Sequence, residues 1–365
     1  MKIREIIQVL EHYAAPELQE DWDNSGLLTG QAGEDCSGVL CALDMTPEVV
    51  AEAAAAGCNL VVAHHPVIFK GLRRLNGNNH VERTVIEAVR RGVALYAIHT
   101  NLDNIVLGVN DTIARKLGLE ETKILQPKNR VLHRLITFAP HDQAETVRQA
   151  LFDAGAGHIG NYSECSFNSK GTGTFRAGAG ADPYVGKVGE RHAEEETKIE
   201  IVYPAYMQTQ IVQALEAAHP YEEVAYDVFQ MENVHFGIGA GLIGSLPEPV
   251  DEEEMLRRIR DAFGAPVVRH TALHGRPVQR VAVCGGAGAF LIGAARRAGA
   301  DLYLTADVKY HEFFEAEGTL LLADIGHYES EQFAVDLVRD LLLQKFPTFA
   351  VLKTGVDTNP VHYFT

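Results

Sequence analysis

The chain has no surplus of basic charge, no paired cysteine motif and no long apolar run, and each absence removes a class of function. Lysine and arginine number 32 against 49 aspartates and glutamates, a formal net charge of −17. Nucleic-acid backbones and anionic membrane surfaces would be repelled by that field, so neither is an expected partner. A phosphorylated small molecule is still allowed, because a local metal charge can outweigh a distant surface charge. The cysteines Cys36, Cys41, Cys58, Cys165 and Cys284 are odd in number and form no CxxC pair. They read as reduced, mostly buried thiols rather than as a disulfide framework or a zinc knuckle. No stretch approaches the roughly 20 apolar residues of a membrane span. Near the start, Ile3, Ile6, Ile7 and Leu10 fall at helical spacing among Lys2, Arg4 and Glu5, unlike the unbroken apolar region of a signal peptide. The expected compartment is the cytoplasm.

What is present is ordinary globular sequence: 365 residues, 46% hydrophobic and 22% charged, long enough for two or three domains. Short apolar runs (Gly38–Leu43, Asn59–Ala63, Val93–Ile98) read as strands and alternate with helical patterns over Pro47–Ala56 and Val81–Arg91. The rhythm returns after about residue 278 with RVAVC, a helix over Ala289–Ala298, DLYLT, a helix near Glu312, TLLLAD and a long helix over Ser330–Gln344. Such alternation predicts α/β layers with parallel strands covered on both faces. Aligning Gly57 with Gly299 sets AAAAGCNLVVAHH against ARRAGADLYLTAD. That match is either shared α/β grammar or a duplication, and a duplication would set two similar halves facing each other across a cleft. The middle differs. Strand-like Arg134–Phe138, Lys198–Tyr203 and Glu223–Phe229, helical Ala144–Ala154 and Ala205–Ala218, and a Gly-rich stretch from Gly155 to Gly189 suggest an inserted α+β unit of the split βαβ type. The expected division is residues 1–127 and 233–365 as the two α/β halves, with 128–232 as the insert.

Three predicted strands end directly in residues with metal-ligand chemistry: NLVVA before His64 and His65, ALYAI before His99-Thr100-Asn101-Leu102-Asp103, and TLLLADIG before His327 and Glu331. Ligands of open parallel sheets bind beyond the carboxyl ends of the strands, so neighbouring strands would bring these residues together. His327 and Glu331 share a helical face if a helix begins at His327. Taken singly, the His-His pair could be a satisfied loop, His99 a structural or outer hydrogen-bonding residue, and Asp103 and Glu331 solvated charges. Taken jointly, His64, His65, Asp103, His327 and Glu331 read as a divalent metal centre. Imidazole and carboxylate without thiolate suit zinc, manganese, iron or nickel. Five ligands exceed the usual three of one open catalytic ion and suit two ions bridged by a carboxylate, Asp103 or Glu331. Such a pair keeps positive charge, favouring ionised water and an anionic substrate.

The combination DWDNSGLL, VVAHHP, HTNLD, TADVKYHEF and ADIGHYESE resembles the GTP cyclohydrolase I type 2 homologue family, the dinuclear-metal Nif-three-like proteins, over essentially the whole chain. The family's metal ligands fall on the same five residues without departure. GTGTFRAGAGADPYVGKVGE and HPYEEVAYDV resemble the version of the family with a PII/CutA-like, ferredoxin-fold insert. The resemblance implies a hexameric ring with metals in a cavity between the halves, and purine-ring hydrolysis of a nucleotide such as GTP.

Around this centre, His311 after DLYLTADVKY is the expected general acid, with Asp307 alternatively a helix cap. Asp23–Gly26 reads as a turn, which the resemblance places near the cleft. Cys284–Gly288 offers backbone amides for an anion or a plain strand-to-helix turn, and His219–Glu223 reads as a tight turn before an edge strand. Three functions follow: a metal-dependent hydrolase of a nucleotide (cyclohydrolase-like or a phosphoesterase), a metal-binding regulator or carrier without turnover, or a scaffold with structural metals.

Overall fold

The computed structural model describes residues 1–364 and resolves them into two compact units. One comprises Met1–Pro127 and the chain from Gly237 onward, and the other is Lys128–Phe236.

In the first unit, Val39–Ala42, Leu60–Ala63 and Ala94–Ala97 form a parallel run, each fully buried, joined by the helices Pro47–Ala55 and His80–Arg91. Thr46 caps the first helix by accepting from the Val49 amide, and Pro47 stands at its first position. Asn79 caps the second and Gly92, at φ 64°, ends it. Gly26–Thr29 closes one edge antiparallel, and Val351–Lys353 from the far end of the chain closes the other in parallel. The register sets Ala42, Ala63 and Ala97 side by side. Asp44, His65 and His99 each follow by two residues, so one parallel edge delivers all three to the same end.

A second sheet of the same unit is ordered Arg269–His270, Leu321–Asp324, Leu302–Ala306, Val278–Ala287, Val234–Val250 and Glu120–Asn129. Its three parallel strands pair Val281 with Leu302 and Leu302 with Leu321. The two sheets share one core. Alternate residues Val39, Cys41, Leu60, Val62 and Tyr96 pack with Val281, Val283, Leu302, Leu304 and Leu321 and with the helices Ile3–Tyr13, Glu252–Phe263 and Ala334–Lys345. The intervening residues Leu40, Ala42, Val61 and Ala63 pack instead on the two crossover helices, which is why these strands are apolar on both faces.

Two expectations need correction. The long helix expected over Ser330–Gln344 is two, His327–Glu331 and Ala334–Lys345, broken at Gln332–Phe333 where ψ relaxes to −25° and −9°. The helix near Glu312 is a 3₁₀ segment, Tyr310–Ala316. The 17-residue strand Val234–Val250 had no sequence expectation, since glycines and prolines interrupt its apolar pattern.

The second unit runs strand–helix–strand–strand–helix–strand. Leu132–Pro140, Ser166–Arg176, Arg191–Pro204 and Tyr226–Met231 form one antiparallel sheet, with Leu132–Pro140 and Arg191–Pro204 central. Ala144–Asp153 and Gln208–Ala218 cover one face through Val147, Leu151, Ile211 and Leu215, packed on Leu135, Ile199, Ile201 and Tyr203.

Candidate metal centre

Each histidine of the first unit's cluster is held by one ring nitrogen and presents the other. His64, directly after Leu60–Ala63, donates from Nδ1 to the Ile98 carbonyl at 2.8 Å. His65 donates from Nδ1 to Asp44 Oδ1 at 2.7 Å, and His327, first residue of its short helix, from Nδ1 to Asp307 Oδ2 at 2.8 Å. The three Nε2 atoms converge on Glu331, one turn after His327. His65 Nε2 and His327 Nε2 each lie 2.9 Å from Glu331 Oε2 and 3.3 Å from one another. On the other oxygen, His64 Nε2 is 3.9 Å from Glu331 Oε1 and 3.6 Å from Asp103 Oδ1. The five residues named from sequence therefore form two groups that could hold a metal ion, His65–His327–Glu331 and His64–Asp103–Glu331, sharing one carboxylate.

Two atoms test whether a cation fits. His64 Nε2 and Asp103 Oδ1 are buried and have no hydrogen-bond partner. With the Nδ1 proton committed to a carbonyl, a neutral His64 offers only a lone pair at Nε2, facing an Asp103 oxygen that, while the carboxylate is ionised, also only accepts. Acceptors buried face to face are costly unless something positive lies between them. Fixing Nδ1 so that Nε2 points inward is also the usual support of imidazole ligands.

The electrostatics agree. Burial pushes the His64 imidazole down to about 3, so it is neutral at pH 7. Burial also pulls His65 down, but the Asp44 and Glu331 carboxylates outweigh it and raise it to about 9. His327, drawn down by burial and up more strongly by Asp307 and Glu331, reaches about 11. Burial and the neighbouring Glu331 hold the Asp103 carboxyl well above its usual range. Glu331 lies well below its own despite burial, because His327 and His65 face it. In the metal-free chain the raised His65, His327 and Asp103 thus favour the protonated forms at the positions where cations would fit.

Sequence reasoning missed several supports. Asp44 follows the same rule as the ligands, a carboxylate just after a buried strand, and could have been found by it. Its second oxygen accepts from Thr358 Oγ1 at 2.6 Å, a contact across the chain that no local pattern marks. Asp307 orients His327 and does not cap the following segment; the cap is at Lys309, whose amide donates to Glu312 at 2.7 Å. His99 stands nearer the cluster than an outer residue need be: with His64 and His65 it forms a third group that could hold an ion. Its Nδ1 donates to Asp23 Oδ1 at 2.7 Å, which gives the DWDN turn its place beside the site.

Three amides of the Cys284–Gly288 turn are already engaged, which favours the plain strand-to-helix turn over an anion site. Gly285 donates to Asn110 Oδ1, Gly286 to Ser330 Oγ, and Gly288 to Thr305 Oγ1. Its glycines make room for Glu331 instead: a Cβ on Gly286, at φ 59°, would lie 2.3 Å from Glu331 Oε1. His311, the expected general acid, is not brought into the cluster. It is exposed, with its ring against Tyr310 and Phe314. His219 keeps to a turn, its Nε2 bonded to the Phe138 carbonyl at 2.9 Å and its Nδ1 accepting from the Tyr221 amide. Beside the cluster, a cavity of about 440 Å³ is bordered by His65, His327, Asp44, Asp307, Arg269 and Tyr363.

A mixed α/β protein with three inward-turned imidazoles around a shared buried carboxylate belongs to the class of candidate metalloproteins. Residues 1–360 match the Duf34/NIF3 (NGG1p interacting factor 3) family, and the chain belongs to it. A "GTP cyclohydrolase 1 type 2 homolog" of Halalkalibacterium halodurans is 38% identical over 361 residues, covering 97% of both chains. One from Bacillus subtilis is 35% identical, covering 98% of this chain and 97% of that one. Among solved structures, a Bacillus cereus protein related to NIF3 superposes with a TM-score of 0.86 at 35% identity, covering 100% of this chain and 99% of that one. Among the described residues no helix is long and apolar enough to cross a membrane.

Proposed function

We propose that this chain is a dinuclear divalent-metal hydrolase acting on a nucleotide. His65, His327 and Glu331 would hold one ion, and His64, Asp103 and Glu331 the other, with Glu331 common to both. The observation that carries the reading is the pair of orphaned acceptors, His64 Nε2 and Asp103 Oδ1, aimed at each other 3.6 Å apart in a buried place. Zinc, manganese, iron and nickel all suit that donor set. When bound, two such ions supply Lewis-acid charge and ionise water near neutral pH. The chain's own part is to hold the donors: Ile98, Asp44 and Asp307 fix the three imidazoles, and Gly286 seats Glu331.

The relatives' name supports a purine nucleotide such as GTP as substrate. The cavity beside His65 and His327, with Arg269 on its wall, would take the rest of the molecule. The strand order of the 128–236 unit is that of split βαβ folds. We read that unit as a PII/CutA-like module that gates or regulates rather than reacts, within a homo-hexameric ring.

The test is metal content per chain in protein purified without added metal, then GTP turnover before and after chelation. Release of inorganic phosphate would indicate a phosphoesterase, and a change in purine absorbance ring opening. Near two ions with chelator-sensitive turnover supports the reading. Two ions without turnover favours a regulator or carrier, and no metal after reconstitution refutes the centre. Glu331→Ala is expected to lower metal content with the fold intact by circular dichroism. Unchanged stoichiometry would remove Glu331 from the ligand set.

A further inference from the structure

The 128–236 unit holds a cavity of about 700 Å³, built within that unit alone. It lies on the sheet face opposite the two helices. Antiparallel register pairs Gly171 with Glu196, Gly173 with Glu194 and Phe175 with His192, and directly paired residues project to one face. Ile199, Ile201 and Tyr203, of the other parity, pack under the helices.

Its wall is aromatic. Tyr221 stands with Phe175 at a centroid separation of 6.3 Å and with Tyr184 at 6.2 Å, both rings tilted by 50–56°, and Phe138 lines the same space. Among these rings sits a carboxylate: Glu196 is only 9% exposed, and its Oε1 accepts from the Tyr221 hydroxyl at 2.9 Å. The place for Oε2 exists because residue 173 is glycine; a Cβ there would lie 2.0 Å from that oxygen. Glu222 and Glu223 add negative charge at the rim, Glu222 accepting from the Asp182 amide.

Three basic residues also border the cavity, and their placement decides the sign. Lys170 and Arg176 pair with Thr197 and Arg191, so their side chains alternate to the opposite face of the hairpin. Lys198 is tied to Glu200 at 2.6 Å. None of the three forms an ion pair with Glu196, which faces the space among rings whose faces attract positive charge.

We propose that this cavity binds a small organic cation bearing an alkylated ammonium group, with Glu196 as counter-ion and Phe175, Tyr184 and Tyr221 as the aromatic wall. A compact metal ion is not the fitting occupant, since one carboxylate and a phenol are too few ligands, whereas an ammonium wrapped in methyl groups uses both the rings and the charge. The assignment is independent of the metal centre.

The full-length chain is titrated with choline and with its neutral isostere, in which a quaternary carbon replaces the nitrogen, by calorimetry and ligand-observed NMR. Choline is expected to bind about tenfold more tightly than the isostere. Glu196→Gln is expected to remove that preference. Tyr184→Ala, on a half-exposed ring that no core depends on, is expected to weaken choline about fivefold. Metal content and melting temperature serve as controls for folding of both variants. Equal affinity for the two probes, a preference that survives Glu196→Gln, or no choline binding at tens of millimolar would each overturn the proposal. So would a change of oligomeric state in Tyr184→Ala with choline binding unaltered, which would mean that another copy covers the cavity.

Discussion

Gly286→Ala isolates the seat of the shared carboxylate without touching a ligand. The new methyl would stand 2.3 Å from Glu331 Oε1, 3.1 Å from its Cδ and 3.3 Å from His327 Cε1. Reaching ordinary contact requires the carboxylate to retreat by about 1 Å, and Glu331, buried at the end of the helix His327–Glu331, has little freedom to do so and still face both groups of donors. The backbone at φ 59° adds its own cost, about 1–2 kcal/mol for a residue with a Cβ. Two effects are therefore expected: a modest loss of stability, and a metal affinity reduced about 10–100-fold, the size typical of disturbed outer supports. Gly318→Ala separates them. Gly318 has nearly the same φ, 61°, with nothing within 4 Å of its Cβ position, so it should share the stability loss and keep its metal. Chelator competition and elemental analysis on both variants measure affinity and stoichiometry, and thermal melts of the metal-free forms measure stability. Wild-type affinity in Gly286→Ala, or equal loss in both variants, would refute the reasoning.

Two further outcomes follow from the same site. In the metal-free protein, His65 is raised to about 9 and His327 to about 11. The stability their protonated forms contribute is fully present below about pH 6.5 and is lost as pH rises through about 9 for His65 and about 11 for His327. His64, lowered to about 3, is already neutral across that window. Thermal stability of the stripped chain should fall between pH 6.5 and 9 while metal affinity rises, because binding must displace those protons; a flat stability profile would contradict the protonated pair. Asp44→Asn removes the charge that holds His65 and should weaken metal binding about tenfold with little change in fold, read by the same competition assay; full retention of affinity would show that the ring needs no carboxylate.

Much of the parallel framework was legible because its signals are local. LVVA and ALYA are apolar at every position, as strands covered on both faces must be, and Thr46-Pro47, Asn79 and Gly92 punctuate the intervening helices within a few residues. The five clustered residues were legible for a related reason: each follows a buried strand, or one turn of helix beyond it, and parallel strands put such ends on one edge. His311 obeyed the same pattern yet stays outside, because the residues after Ala306 turn away into an exposed 3₁₀ segment whose direction no spacing encodes. Val234–Val250 was hidden by glycines and prolines that here serve close packing and a bulged register rather than a loop. By itself, then, the sequence determined the layered α/β class, the ligand chemistry and the strand ends that carry it. Only the tertiary structure decided that Glu331 divides its two oxygens between two groups of donors, that Asp44, Asp307 and Ile98 aim the imidazoles, and that Thr358 and Gly286 reach the site from distant segments, since such contacts depend on packing between elements far apart in the chain.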